Sequence, residues 1–268
     1  MNSKQEPSRL LTLDIGNTNT VLGLFEDDVL VHDWRIRTEV NMTIDEYAIT
    51  LRSLFAVHGI DLDRVTDVII SCVVPPVLNA AERFCRRYFG TDALVVGPGI
   101  KTGMPILYDN PREVGADRIV NAVAAFEMHK DAVIVVDFGT ATTFDFISER
   151  GEYMGGVISP GIMISCEALF QKASKLPRVE IFARPPSIVA KNTIASMNAG
   201  IVFGYAGLVE GIISRIKKEV GRPMYVIATG GLAALIASEC PMIDEVDDYL
   251  TLNGLRIIFD RNKIRRGP

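Results

Sequence analysis

The 268-residue chain lacks both a long apolar run and a leader-like N-terminus. No stretch approaches the roughly 18–20 consecutive apolar residues of a membrane span. The polar segment 1–9 has no apolar core of the kind that a signal peptide needs. We therefore expect a cytoplasmic protein with no membrane partner, and we expect residues 1–9 to be a disordered extension before the first strand.

Cysteine and histidine are scarce and dispersed. No two of these side chains stand at a Cys-x-x-Cys spacing or at another spacing typical of zinc sites. The sequence context of the cysteines is apolar, which predicts buried thiols in the reduced state. The residues concerned are Cys72, Cys85, Cys166, Cys240, His32, His58 and His129.

Positive charge is not in excess, because the formal net charge is −5. Binding to nucleic acid needs a concentrated basic face, so we expect no nucleic-acid partner. The one basic cluster is C-terminal and comprises Arg261, Lys263, Arg265 and Arg266. We expect residues 263–268 to form a solvated tail.

Two common nucleotide-binding signatures are also absent. The chain has no Gly-x-x-x-x-Gly-Lys-Ser/Thr loop, which excludes a Walker-type phosphate site. It has no Gly-x-Gly-x-x-Gly after the first strand either, which disfavours a dinucleotide-binding fold.

The hydrophobic pattern instead predicts an α/β protein with two runs of three short strands. Helical spacing predicts helices after each run, one of them opened by the capping box Thr43 and Glu46. Asn110, Pro111 and Glu113 have the order of an N-cap, a first-turn proline and an acidic third residue, so we expect a helix to begin there.

An internal repeat underlies this pattern. The segment Asp14-Ile15-Gly16-Asn17-Thr18-Asn19-Thr20 aligns without a gap with Asp137-Phe138-Gly139-Thr140-Ala141-Thr142-Thr143, at an offset of 123 residues (137 minus 14). Each copy ends an apolar strand and begins a three-strand meander. We therefore expect two similar lobes, residues 10–127 and 128–262, each with the order β-β-β-α-β-α.

The repeated turn has the composition of a phosphate site. Gly16 permits a tight hairpin whose amides form a nest for anionic oxygens. Asp14 repels phosphate unless a cation lies between them, so its presence indicates a bound metal ion. Asp137, Gly139 and Thr140 offer the same groups in the second copy.

Duplicated Asp-x-Gly turns on meander strands resemble the superfamily of actin, hexokinase and acetate kinase. Within it, the two turns together with Gly115-Ala116-Asp117-Arg118 stand in the order and spacing of type III pantothenate kinases, over roughly Leu10 to Asn262. The resemblance implies two ribonuclease H-like lobes with the active site in the cleft between them, and a homodimer. It also implies transfer of the γ-phosphoryl group of ATP to pantothenate, the first step of coenzyme A biosynthesis.

The resemblance also assigns roles to individual residues. Asp117 matches the catalytic base, and Asp137 matches the ligand of a monovalent cation, K⁺ or NH₄⁺. Mg²⁺ is expected with ATP, with Asp14 as its anchor. Thr229-Gly230-Gly231 resembles a turn near adenosine. The implied nucleotide contacts are Asp14, Ile15, Gly16, Asn17, Thr18, Asn19, Thr20, Val21 and Thr140, and the implied substrate contacts are Tyr108, Gly115, Ala116, Asp117, Arg118 and Thr193.

Two other functions remain open. A protein of this fold can be a non-catalytic regulator, although Asp14, Asp117 and Asp137 are all present and favour an enzyme. It can also be another enzyme of the superfamily, such as a sugar kinase or a polyphosphate hydrolase. Sugar kinases of this fold often carry a zinc-binding Cys/His cluster, and none is seen in this sequence.

Overall fold

A computed structural model describes residues 8–179, 181 and 183–263. Residues 1–7 and 264–268 lie outside the described residues, so the expectations for the N-terminal extension and the C-terminal tail fall almost wholly outside them. The strands are β1 Arg9–Ile15, β2 Asn19–Glu26, β3 Val29–Arg37, β4 Asp67–Cys72, β5 Leu94–Val95, β6 Val133–Phe138, β7 Ala141–Ile147, β8 Tyr153–Pro160, β9 Tyr225–Thr229 and β10 Glu245–Val246. The helices are α1 Ile44–Val57, α2 Pro75–Phe84, α3 Ala116–His129, α4 Ile162–Lys172, α5 Thr193–Val220, α6 Ala233–Ala237 and α7 Leu250–Asn262.

The described chain forms two compact units, each built from several segments. The first contains residues up to 103, 112–124 and 251 onward, and the second contains 104–111 and 125–250. Helix α7, for which the sequence offered no prediction, belongs to the first unit. The lobe boundaries at 10–127 and 128–262 stay a prediction.

Each unit contains one five-stranded sheet, and the two sheets have the same strand order. The first runs β3-β2-β1-β4-β5 and the second runs β8-β7-β6-β9-β10. In both, the three meander strands are antiparallel and the next strand pairs parallel with the first of them. The repeat predicted from the sequence is confirmed as a repeat of topology.

Each unit has its own apolar core. In the first, side chains of β1, β2 and β4 pack against α1 and α2, with Leu11, Leu51 and Phe84 fully buried. In the second, β6, β7 and β9 pack against α5 and α6, with Ile134, Val202 and Val226 fully buried. The four cysteines are free thiols, three of them buried and Cys72 partly so.

Helix α5 differs from expectation in one respect. It is the one helix in the described ranges that is long and apolar enough to cross a membrane, although no such run was expected. Core helices of globular proteins pass the same test. A row of α5 side chains, including Val202, Val209 and Ile213, is buried in the second unit's core, which accounts for part of its apolar composition.

Candidate active site

The first repeated turn lies at the carboxyl end of β1. The Gly16 amide donates to the Asn19 carbonyl at 3.0 Å, which closes the hairpin. A Cβ on Gly16 would lie 3.0 Å from that carbonyl, so a larger residue is crowded there. Asn17 and Thr18 are exposed and Asp14 is half-buried. Ile15 and Thr20 are buried, so a ligand would reach these two only through their backbone.

Thr38, the residue directly after β3, stabilises this turn by hydrogen bonds. Its hydroxyl donates to the Gly16 carbonyl at 2.7 Å and lies 2.9 Å from the Thr20 hydroxyl. Its amide donates to the Thr18 carbonyl at 3.0 Å. These bonds hold the backbone of the turn in place, while the Asn17 and Thr18 side chains stay exposed.

The second turn is one residue shorter than the gapless alignment predicts. Asp14 pairs with Val21, whereas Asp137 pairs with Thr143, although the alignment matches Thr143 to Thr20. The Gly139 amide donates to the Ala141 carbonyl at 3.1 Å, two residues on. The repeat therefore conserves the site of each hairpin while its length differs.

In the second unit, Gly161 has the position that Thr38 has in the first, and it packs against the second turn. It stands one residue after β8, as Thr38 does after β3, and a Cβ there would overlap the Thr140 carbonyl. The Tyr205 hydroxyl of α5 donates to the neighbouring Pro160 carbonyl at 2.9 Å. Helix α4 begins directly after Gly161 without a side-chain cap, so its first amides can receive an anion near Thr140.

Asp137 lies beside Thr229 on β9, its parallel partner. Gly230 follows with φ +97°, and a Cβ there would lie 2.7 Å from both Asp137 Oδ1 and the Phe138 carbonyl. A carboxylate oxygen and a carbonyl oxygen therefore converge at the carboxyl end of β6. These are oxygen ligands of the type that hard cations prefer.

Asp117 lies in the first turn of α3, which corrects the predicted helix start. Pro111–Glu113 forms only a short 3-10 turn, and α3 begins at Ala116. A Cβ on Gly115 would lie 2.5 Å from Asp117 Oδ1 and 3.6 Å from Val73, so the carboxylate occupies space that only glycine leaves open. The N-cap pattern at Asn110 misled because it reports a local turn, which continues as a helix only if the next residues permit it.

The same contacts place Asp117 near the first turn. The Val73 amide donates to the Ile15 carbonyl at 3.1 Å, so Val73 joins the carboxyl end of β1 to the Gly115 segment. Asp117, Gly115 and the turn that begins at Asp14 therefore belong to one region of the first unit.

The pKa of the Asp117 carboxyl is shifted in the direction that suits a proton acceptor. Burial raises the pKa of its carboxyl above the usual value for aspartate, while the Arg118 amide and the Arg118 charge act in the opposite direction. The Arg118 amide donates to Asp117 Oδ1 at 2.8 Å. The Arg118 side chain is buried, which excludes a solvated charge pair on a helix surface.

The remaining predicted substrate residues lie in the second unit. Tyr108 is half-buried and rests against β8. Thr193 is exposed and is the first residue of α5, whose N-cap Asn192 accepts from the Ala195 amide at 2.9 Å. Asp137 and Thr140 share that unit, whereas Asp14 to Val21 and Gly115 to Arg118 belong to the first.

Thr38 and Gly161 were not predicted as site residues. The two positions are related by the repeat offset of 123 residues (161 minus 38). Because threonine and glycine have no functional group in common, the sequence did not mark them as equivalent. Within the described ranges, no group of three or more His, Cys, Asp or Glu side chains could hold a metal ion.

Comparison with known proteins gives consistent matches. A sequence model described as type III pantothenate kinase matches residues 10–215. A type III pantothenate kinase from Syntrophobacter fumaroxidans is 76% identical over 254 residues, covering 95% of this chain and 98% of that protein. One from Syntrophus aciditrophicus is 61% identical over 253 residues, covering 94% and 99%.

A solved structure extends the likeness to the fold. The ROK family glucokinase from Streptomyces griseus, in complex with glucose and AMPPNP, superposes with a TM-score of 0.55 at 13% identity, covering 97% of this chain and all of that one. At this identity the likeness concerns the fold alone. The fold of this chain is therefore shared with that of the glucokinase.

Proposed function

Because the chain belongs to the type III pantothenate kinase family, we propose that it transfers the γ-phosphoryl group of ATP to the primary hydroxyl of pantothenate. The products are 4'-phosphopantothenate and ADP, and the reaction is the first step of coenzyme A biosynthesis. The observation that carries the proposal is the Asp117 carboxylate, whose pKa is raised by burial and which is linked through Gly115 and Val73 to the end of β1, where the first turn begins.

Asp117 is the catalytic base in this proposal. It orients the substrate hydroxyl and accepts its proton as the oxygen–phosphorus bond forms and the bond to ADP breaks. A raised pKa makes the ionised carboxylate a better acceptor at neutral pH. Phosphoryl transfer has a loose transition state, so positioning and charge neutralisation supply most of the rate.

ATP is the phosphoryl donor, held by Asp14 to Val21 and by Thr140. The turn amides and the uncapped start of α4 suit phosphate oxygens. Bound Mg²⁺ would neutralise phosphate charge, and Asp14 is its anchor. One carboxylate together with phosphate oxygens suits Mg²⁺, which is rarely held by a cage of protein ligands alone.

Asp137 is the proposed ligand of the monovalent cation, K⁺ or NH₄⁺. Its Oδ1 atom and the Phe138 carbonyl converge at Gly230, which gives the oxygen donors that such a cation needs. In the substrate site, Gly115 and Ala116 present backbone, and Arg118 offers its guanidinium to the carboxylate of pantothenate. Tyr108 and Thr193 complete the proposed substrate contacts.

We further propose a cytoplasmic homodimer that binds neither nucleic acid nor membrane. The net charge of −5 supports the absence of nucleic acid. The core packing of α5 supports the absence of a membrane. Exposed apolar side chains on β8 and α4, Ile158 and Met163 among them, support the dimer.

The decisive experiment measures ATP-dependent phosphorylation by the purified protein in potassium, ammonium and sodium salts. The acceptors are pantothenate, glucose and N-acetylglucosamine, and polyphosphate is tested for hydrolysis. We expect activity on pantothenate alone, far higher in potassium or ammonium than in sodium. Asp137→Asn should lose that salt preference.

Other outcomes separate the alternatives. Activity on a sugar but not on pantothenate would indicate another kinase of the superfamily. ATP binding without turnover on any acceptor would indicate a non-catalytic regulator. Equal rates on pantothenate in all three salts would contradict the cation site but not the reaction.

A further inference from the structure

A buried polar pair lies behind the proposed substrate site in the second unit. The Tyr153 hydroxyl of β8 donates to Asp145 Oδ1 of β7 at 2.6 Å, and both residues are fully buried. A buried carboxylate is costly unless it is well hydrogen-bonded. None of the roles assigned above uses either residue.

The first unit shows that the framework does not require this pair. In each meander the third strand carries a β-bulge, and the residues beside it, Leu30 and Tyr153, pair with Phe25 and Ile147 in the same way. Gly23 and Asp145 stand two residues before those partners. A Cβ on Gly23 would lie 2.7 Å from Thr12, 2.9 Å from Leu252 and 3.1 Å from Leu30. Gly23 and Leu30 therefore adjoin in the first unit as Asp145 and Tyr153 do in the second, and Thr12 and Leu252 occupy the space beside Gly23.

The same fold is therefore built once with glycine and leucine and once with a buried acid and phenol. Replacing polar pairs by apolar residues often costs no stability, because desolvation offsets their attraction. The strand framework alone therefore does not explain the presence of Asp145 and Tyr153, and their surroundings supply a further reason.

The backbone of Tyr153 holds the segment before Tyr108. The Tyr153 amide donates to the Pro105 carbonyl and its carbonyl accepts from the Leu107 amide, both at 2.8 Å. This pairing forms an isolated parallel bridge between Ile106 and Tyr153. Tyr108 directly follows Leu107, so the position of its backbone depends on the bonds to Tyr153.

The side chain of Tyr153 supports the ring of Tyr108. The two ring centroids are 6.3 Å apart with an interplanar angle of 59°, which is favourable for an aromatic pair. The Tyr108 ring also lies over Gly155, where a Cβ would be 3.6 Å from its Cε2 atom. Gly155 has φ +120°, a conformation that belongs to the bulge and that other residues rarely adopt.

We propose that Tyr153, anchored by Asp145, is a positioning residue that sets the backbone and the ring of Tyr108 for binding of the acceptor substrate. This inference rests on the proposed function, in which Tyr108 contacts pantothenate. Tyr153 itself is fully buried, so its effect on the substrate passes through Tyr108.

The test uses Tyr153→Phe, which keeps the ring and removes the anchor, and Tyr153→Leu, which installs the residue of the first unit. We expect the pantothenate KM to rise about fivefold in Y153F, because the lost bond to Asp145 no longer favours the binding position of Tyr108. The rise should be larger in Y153L, which also loses the ring. The kcat and the KM for ATP should stay within about twofold, because ATP is bound by other elements.

A double-mutant cycle with Tyr108→Ala then separates positioning from general damage. If Tyr153 acts through Tyr108, Y153F should raise the pantothenate KM little further once Tyr108 is absent. Tyr225→Leu is the control, since it removes an exposed tyrosine from β9 of the same unit and should leave the pantothenate KM unchanged.

Two results would overturn the proposal. One is a wild-type pantothenate KM in Y153F, whether or not Y153L folds. The other is an effect of Y153F that is equally large with and without Tyr108, which would mean a structural role. A different result would contradict the proposed function, namely wild-type protein that does not phosphorylate pantothenate. In that case, ¹⁹F NMR of fluorotyrosine-labelled protein still tests the positioning, because Y153F should shift the Tyr108 resonance and Y225L should not.

Discussion

At the scale of single residues, Asp117 combines a chemical advantage with a cost. Its pKa is raised chiefly because the carboxyl is buried, and the Arg118 amide and charge compensate only in part. A buried base accepts a proton more readily, but its ionised form is less stable in the folded protein than in water. Function and stability therefore make opposite demands on this side chain.

We expect Asp117→Asn to lower turnover by roughly 10²–10⁴, the usual range for the loss of a positioned acid or base. The fold and ATP binding should persist, because the amide has the same shape and can still accept from the Arg118 amide. Steady-state kinetics with both substrates varied, and a binding titration with ATP, provide the measurement. A loss below about tenfold would show that Asp117 is not the base.

Arg118→Ala is the companion variant, and it should weaken pantothenate binding more than turnover. If the two variants had the same profile, the roles assigned to the neighbours would be wrong.

The difference in stability between the Asp117→Asn variant and the wild type should grow as the pH rises. The folded protein holds the Asp117 proton to a higher pH than the unfolded chain does, so ionisation destabilises the fold as pH rises above the ordinary aspartate value of about 4. The variant should therefore unfold at a higher temperature than the wild type at pH 7. The difference should vanish as the pH falls toward 4, and thermal melts without ligand test this.

At the scale of elements, the two hairpin turns are held by different means. Thr38 uses a hydroxyl that donates to the Gly16 carbonyl, and Gly161 uses the absence of a side chain to pack under the Thr140 carbonyl. Both residues stand one position after the third strand of a meander. The repeat therefore keeps the position of the residue that supports the turn, while the type of that residue differs between the two units.

Thr38→Val should loosen the first turn, because valine has the same shape but cannot donate to Gly16 or bond with Thr20. Leaving these buried groups without a partner should cost about 1–3 kcal/mol of unfolding free energy. The KM for ATP should rise several-fold and the KM for pantothenate should not. Denaturant titration and kinetics measure both effects.

Thr38→Ser is the matched control, since it keeps the hydroxyl and should stay close to the wild type. An ATP KM that is unchanged in Thr38→Val would mean that the first turn does not bind the nucleotide.

At the scale of the whole molecule, the two sheets have equivalent edge strands with different surfaces. β3 and β8 are both edges. On β8 and on α4, which follows it, Met154, Ile158, Met163 and Ile164 are all exposed, Ile158 by 62%. Apolar side chains concentrated on one chain segment and exposed to this degree favour contact with another chain.

The double variant Ile158→Glu and Met163→Glu should convert the homodimer to a monomer, because four charges would have to be buried at the symmetric contact. Val29→Glu is the control, since Val29 is an apolar residue on β3 exposed by 64%. Sedimentation velocity measures the mass of each protein. A dimer that survives the double change would place the interface elsewhere.

The sequence by itself determined the succession of strands along the chain and the site of each hairpin. Alternating and helical hydrophobic patterns are local, and the Asp-x-Gly repeat marks equivalent positions in two meanders. They predicted the two three-strand meanders and the helices that follow them, and they placed Asp14 and Asp137 at strand ends. The resemblance of Gly115 to Arg118 to a known family added the chemistry.

Only the tertiary structure decided how those residues are held. The start of α3 at Ala116 depends on Gly115, whose missing side chain leaves room for the Asp117 carboxylate. The pKa of Asp117 follows from burial, which no local pattern encodes. Thr38, Gly161 and Tyr153 act on residues 8 to 45 positions away in the chain, and such contacts arise only when the strands and helices pack.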